Sequence, residues 1–338
     1  MKLQDIDFPP LPVAASHLLF AAGLLGVLVM HMVGALFSGL LVYLLVQLAQ
    51  PLVGRVASGH NARVLATLGI AIVVVGGLVK AGLWIALLLH SGSGLDALWV
   101  KIAETIDSAN GVLPQWVIAS LPSTASDLKD AAVHWLREHA AELRLAGKEA
   151  GVGVVQILIG MLIAALVAVQ EVDEPHQQRP LAQALSERLQ RFYAMFRTVF
   201  VAQGKIATLN ATLTGIYLMG VLPALGMTLP FVKTMILVTW LVGFLPVAGN
   251  LISNTIIVLV SLSVSALAAV LSLAFLVLVH KLEWLVIGRV VGAQVDAKAW
   301  EILLAMLIME RLFGAGGVAI APVTYAYLKA ELRAAALI

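Results

Sequence analysis

The chain has 338 residues, of which 61% are hydrophobic and only 12% charged, with a formal net charge of +2 and no cysteine. A soluble domain carries roughly 45–50% apolar and about 25% charged residues, so water is not the main solvent of this surface. A near-neutral balance without a Lys/Arg run argues against a phosphate-binding stripe and a nucleic-acid partner, and the lack of cysteine excludes disulfides, thiolate nucleophiles and Cys-based metal sites.

The start of the chain, Met1 to Pro10, reads as a cytoplasmic tail leading into a retained span rather than a cleaved signal, since no small-residue cleavage site follows. Two windows, 8–54 and 234–280, contain no Asp, Glu, Lys or Arg. Each is long enough for two of the ~20-residue segments that cross a bilayer. Residues 13–50 therefore predict two spans, with a turn near His31 and Gly34. Arg55, His60 and Arg63 make a basic loop before a third span at 64–90, so that 1–90 holds the tail and three spans. Residues 91–149 are richer in acidic than basic side chains, with Leu95, Leu98, Ile102 and Ile106 at helical spacing. They predict a soluble helical domain outside the cell, with Trp99, Trp116 and Trp135 as interface anchors. A fourth span follows at 150–170, and 171–205 reads as a cytoplasmic loop carrying Arg179, Arg188, Arg191, Arg197 and Lys205.

The last segment, 206–338, reads as a transmembrane core with broken helices. A fifth span at 206–226 ends at Pro223 and Gly226. The stretches 231–245 and 251–262 are short for full crossings and flank the break Pro246-Val-Ala-Gly-Asn250; a full span is expected at 266–288. A final apolar region, 300–328, is interrupted by Gly314, Gly316, Gly317 and Pro322. The expected fold class is thus an all-α polytopic transmembrane protein of about eight passes, with both termini cytoplasmic. Unwound backbone in lipid survives only where protein or a watery cavity satisfies it, so two breaks in one half of the chain point to a pathway.

Charges inside spans mark candidate sites. His280 and Glu283 are three apart on one helix face and suit proton or cation handling; the same group also suits a membrane–water boundary where Lys281 and Arg289 snorkel. Glu310 and Arg311 precede the glycine cluster, either as an ion pair lining a polar cavity or as a solvated helix end. Freed carbonyls at the Pro246–Asn250 break, with the Asn250 amide, suit a cation or polar solute, although an ordinary inter-helix turn has the same composition. Gln203 and Asn210, seven apart, read as polar glue between helices, and Ala22–Gly26 and Gly160–Ala164 as packing pairs. No phosphate loop, H-E-x-x-H or G-x-S-x-G occurs, which argues against ATP hydrolysis and against an intramembrane enzyme. No metal or cofactor is expected.

Several elements occur in a familiar order: Gly220-Val-Leu-Pro-Ala-Leu-Gly226, Pro246-Val-Ala-Gly249, His280-Lys-Leu-Glu283, Arg289-Val-Val-Gly292, and Phe313-Gly-Ala-Gly-Gly-Val-Ala-Ile-Ala-Pro322 before Leu328-Lys329. In this the chain resembles the autoinducer-2 exporter family of bacterial permease-like proteins. The resemblance implies an inner-membrane permease without an ATPase, linked to export of autoinducer-2 or to sodium/proton antiport, and assembled as a homo-oligomer. It carries the family's positions onto Pro246, Gly249, Glu283, Gly292, Gly314, Gly317 and Pro322. The chain departs from the pattern at Gly288, where proline is usual, at Asp296-Ala-Lys298-Ala-Trp300, and at Glu310-Arg311, which leaves the substrate open. The leading expectation is a secondary transporter or exporter of a small solute or ion, with the lipid bilayer as its surroundings. Its rival is a membrane scaffold or receptor whose 91–149 domain binds a partner.

Overall fold

A computed structural model describes residues 10–54, 59–90, 134, 137–170, 179–244, 248–290 and 298–337. Among these the regular elements are helices and none is a strand. Most of the outward domain expected at 91–149 lies outside the described residues, as do Pro246, Gly292 and the 296 position. Among the described residues, five helical stretches are long and apolar enough to cross a membrane: Leu11–Val29, Val33–Val53, Gly151–Val169, Pro180–Ala224 and Trp300–Ala334. Their outward faces carry large apolar side chains such as Leu18, Leu25, Leu162, Leu166 and Leu307. A helix that is apolar on its outer face as well as its inner one is stable only in an apolar solvent, which is the signature of a membrane protein. The chain divides into two compact units, one of Met1–Gly77, Ala150–Val199 and Val295–Ile338, the other of Leu78–Glu149 and Phe200–Gln294.

In the first unit, α1 (Leu11–Val29) and α2 (Val33–Val53) are joined through Met30, His31 and Met32. The reversal falls at His31, which takes a left-handed backbone (φ 55°), while Gly34 is already helical. The chain continues into α3 (Gly59–His90) and later into α4 (Ala140–Val169). α2 and α4 touch backbone to backbone. Gly160 lies against the Ala35 carbonyl, Gly34 meets Ile157, Gly39 meets Ala164, and Ser38 Oγ donates to the Ile157 carbonyl at 2.9 Å. These pairs ascend together, so α2 and α4 run parallel. Val42, Val46, Met161, Ala164 and Ala168 extend the seam, with Ala66 of α3 against them.

α5 (Pro180–Ile216) lies antiparallel to α2 over its first half: Phe37 meets Phe196, Tyr43 meets Tyr193, and the Tyr193 hydroxyl donates to Gln47 Oε1 at 2.9 Å. The sequence suggested a loop to 205 and then a span; one helix runs through both, because no proline interrupts 181–216. Residues 188–196 are thereby carried in among α1 and α2, with Phe192 packed on Phe20.

The last helix, which becomes α9 in chain order (Ala299–Ala334), is not straight. Gly314 leaves the helix at φ 65°, ψ −150°, a conformation essentially reserved for glycine. Glu301 Oε2 accepts hydrogen bonds from the Tyr325 hydroxyl (2.7 Å) and Lys329 Nζ (3.1 Å). Along a straight helix Glu301 and Tyr325 would be about 36 Å apart. The chain therefore doubles back at Gly314 into a helical hairpin with arms 299–313 and 315–334. Gly317 lets the arms meet, since its Cα lies against the Met309 carbonyl. Gly316, Gly317 and Pro322, expected in the break, sit inside the second arm.

In the second unit, the rest of α5 passes through a π-turn (Tyr217–Val221) and ends at Gly226 (φ 79°). α6 (Val232–Val242), α7 (Ala248–Leu262) and α8 (Ala266–Val290) follow. α6 and α7 fold back on one another. Gly249 lies against the Val242 carbonyl and Gly243, and Met235 and Ile257 share one apolar cluster with Leu218, Leu222 and Leu276. At ~16 and ~22 Å, neither helix reaches across a ~30 Å hydrocarbon core. Ser265 caps α8 by accepting from the Ala268 N–H (3.0 Å). Inside the cluster, three hydroxyls satisfy one another: Tyr217 with Ser272 at 3.1 Å, and Ser261 with Ser272 at 2.7 Å.

Candidate functional site

The tip of the α6–α7 hairpin is built by α5. Gln203 Nε2 donates to the Gly243 carbonyl at 2.9 Å, satisfying one of the acceptors that the end of α6 leaves without a helical partner. Phe244 stacks on Phe200 and covers Gly204, and Trp240 Nε1 donates to Thr208 Oγ1 at 3.1 Å. Gln203 is thus the inter-helix glue its position suggested. Asn210 follows it on the same strip of α5, and Thr239 lies one turn before Gly243. Both are buried, and the Asn210 Oδ1 and Thr239 Oγ1 oxygens have no protein partner. Each unpaired buried polar atom costs about 1–3 kcal/mol, so oxygens left in this state beside an interrupted helix are a polar feature to be explained. Gly249 is buried in the first turn of α7, and Asn250 beside it is half-buried.

The other expected residues are placed as follows. His280 and Lys281 are exposed on α8, which continues to Val290, so they do not mark the end of that helix. Glu283 is in the same helix, and its side chain lies outside the described residues. Glu310 and Arg311 are exposed at the end of the first arm of α9, immediately before the reversal at Gly314. The structure brings Gly249 and Asn250 together at one hairpin tip, and Glu310, Arg311, Gly314 and Gly316 near the other.

Two clusters in the first unit were not singled out from the sequence. One is the latch of Glu301 with Tyr325, Lys329 and the Lys298 N–H, which ties the open end of the α9 hairpin. The other is an ion cluster: Arg188 Nη1 and Arg191 Nη1 both donate to Glu331 Oε2, at 2.9 and 2.7 Å. A signal for it exists in the sequence. Arg188 shares a helix face with Phe192 and Phe196, and an arginine on an apolar stripe calls for a buried partner. A cavity of about 250 Å³ lies at the ends of α2 and α4, lined by Tyr43, Val46, Gln47, Gln50, Val167, Ala168 and Gln170. Pro51, inside α2, lacks the N–H that would pair with the Gln47 carbonyl there. Among the described residues no group of three His, Asp or Glu is placed to hold a metal ion. No family model, curated protein or solved structure matches the chain.

Proposed function

We propose that the chain is a secondary transporter of a small solute or ion. The observation that carries this reading is the pair of helical hairpins: α6 and α7 are each too short to cross alone, and α9 reverses at Gly314 instead of running straight through. Irregular backbone at membrane depth is stable where it lines a polar route, and broken helices of this kind form substrate and ion sites in transporters. The unpaired Asn210 and Thr239 oxygens beside one tip support it.

In this reading α1 to α5 and α8 are the crossings, and the two hairpins are re-entrant, which makes eight membrane segments rather than eight full passes. The parallel course of α2 and α4 supports a crossing by α3 between them. An even number of crossings leaves both termini on one side. The basic residues Arg55, Arg63 and Arg179 make that side the cytoplasm. The resemblance to the autoinducer-2 exporter family supports a bacterial inner-membrane permease that works as a homo-oligomer, with autoinducer-2, sodium or protons as its cargo. Glu283, His280 and Asn250 are the candidate cation- or proton-sensitive groups of the second unit, and Glu310 and Arg311 the candidate charged groups of the first, at the α9 tip.

The test is flux into liposomes holding the purified chain, followed with radioactive sodium, a pH-sensitive dye and autoinducer-2. At least one is expected to move faster than in protein-free liposomes. Glu283→Gln is expected to slow that flux by roughly tenfold, the effect of losing about 1.4 kcal/mol of stabilisation. Correctly inserted protein that moves none of the three would end the transport reading. Flux unaltered by Glu283→Gln would remove that residue from it.

A further inference from the structure

The ion cluster of the first unit does not balance its own charge. Arg188 and Arg191 each place one Nη1 on the same carboxylate oxygen of Glu331. The side chains of Arg188 and Glu331 are only 8% and 10% exposed. One carboxylate neutralises one guanidinium, which leaves a surplus unit of positive charge. Among the described residues, the groups around the cluster do not supply the missing charge. Tyr327 packs beside it with Phe20 and Phe192, and its neutral hydroxyl donates to Glu331; His17 has no negative form. Glu301 is engaged by Lys329 and Tyr325, and Glu187 is exposed on α5 and accepts from Gln183. Hydrogen bonding is also incomplete: Arg188 Nε and Glu331 Oε1 are buried without a partner. An unbalanced charge held among apolar side chains costs several kcal/mol unless a counter-ion joins it.

From this we infer that Arg188, Arg191 and Glu331 form a binding site for one small monovalent anion. The surplus of one charge sets the valence. The guanidinium N–H groups supply the donors, which hold anions through short charge-assisted bonds. Arg191, with a side chain 29% exposed, is the way in, whereas Arg188 is enclosed. The site ties α5 to the second arm of α9, so anion occupancy fixes that arm in place. The inference stands apart from the transport reading, because binding is measured without flux.

The probe is radioactive chloride, measured by equilibrium dialysis against the full chain in phospholipid-free detergent, with a bulky sulfonate as the only other anion. Saturable binding approaching one chloride per chain is expected. Arg191→Gln removes the surplus charge at the more exposed position and leaves the Arg188–Glu331 pair intact. It is expected to weaken binding by roughly tenfold or more, with elution as a folded species unchanged. Arg191→Lys keeps the charge and an N–H donor, and is expected to bind more tightly than Arg191→Gln. Glu331→Gln raises the local surplus and is expected to bind chloride more tightly than the native chain. Absence of saturable binding overturns the site, and so does an Arg191→Gln protein that binds as the native chain does; two such results would leave a structural water bridging Arg188 Nε and Glu331 Oε1.

Discussion

Gly160 shows how much one missing side chain decides. It lies against the Ala35 carbonyl where α2 and α4 meet, with Ser38 bonded to the Ile157 carbonyl beside it. A side chain there would force the two backbones apart. Gly160→Val is expected to destabilise the protein by about 1–3 kcal/mol, the usual cost of overpacking a filled interface. Gly26→Val should stay within about 0.5 kcal/mol, because Gly26 has open space around it. Thermal unfolding in detergent compares the two. The sequence offered both glycines the same reading, since each pairs with an alanine four residues away. Spacing identifies residues that permit a close contact, and only the partner helix determines which of them makes it. Gln203 was legible for a similar reason: a lone amide in an apolar run has few uses besides bonding a neighbour's backbone. Arg188, Arg191 and Glu331 were harder to read, because the pairing joins positions far apart in the chain and each residue sits in a segment with other charges.

At the scale of elements, the backbone at Gly314 determines the form of α9. Its φ of 65° with ψ −150° suits no residue bearing a Cβ, and no neighbouring atom crowds the position. Gly314→Ala is therefore a test of strain alone, with an expected loss of about 1–3 kcal/mol. Gly77→Ala is the control. Gly77 is helical within α3 with open space around it, and the same methyl group there is expected to be neutral or to stabilise by about 0.5–1 kcal/mol. Unfolding midpoints that fall equally for both would show that α9 does not depend on a reversal at Gly314. The glycine cluster announced an interruption in the last apolar region, yet it did not say which glycine leaves the helix or that the arms pair afterwards. That depends on contacts far along the chain, from Glu301 to Tyr325 and Lys329. The α1–α2 reversal was easier, because two apolar lengths without a charge between them leave a turn as the only way to keep both in lipid. The continuity of α5 was obscured by its arginines, which read as a solvated loop until Phe192 and Phe196 are seen packed beside α1 and α2.

For the molecule as a whole, the parallel course of α2 and α4 constrains how the chain threads the membrane. The end of α2 and the start of the apolar part of α4 lie at opposite ends of a shared seam, marked by Gly34 with Ile157 at one end and Val46 with Ala168 further along. The chain between them has to return from one end of that seam to the other. α3, at 32 residues, is about 48 Å long, enough to cover such a distance in one pass. If α3 is that crossing, as proposed above, the segments after α3 and after α4 are expected on opposite sides of the bilayer. The absence of native cysteine makes this measurable with single substitutions. Ser93→Cys is expected to react with a membrane-impermeant thiol reagent on intact cells, and Gln177→Cys only after the membrane is opened. Equal labelling of both on intact cells would mean that α4 does not cross, and with it the even count of crossings and the cytoplasmic placement of both termini would fail. The reverse pattern would keep every crossing and turn the molecule over, against the inner-side placement proposed for Arg55, Arg63 and Arg179.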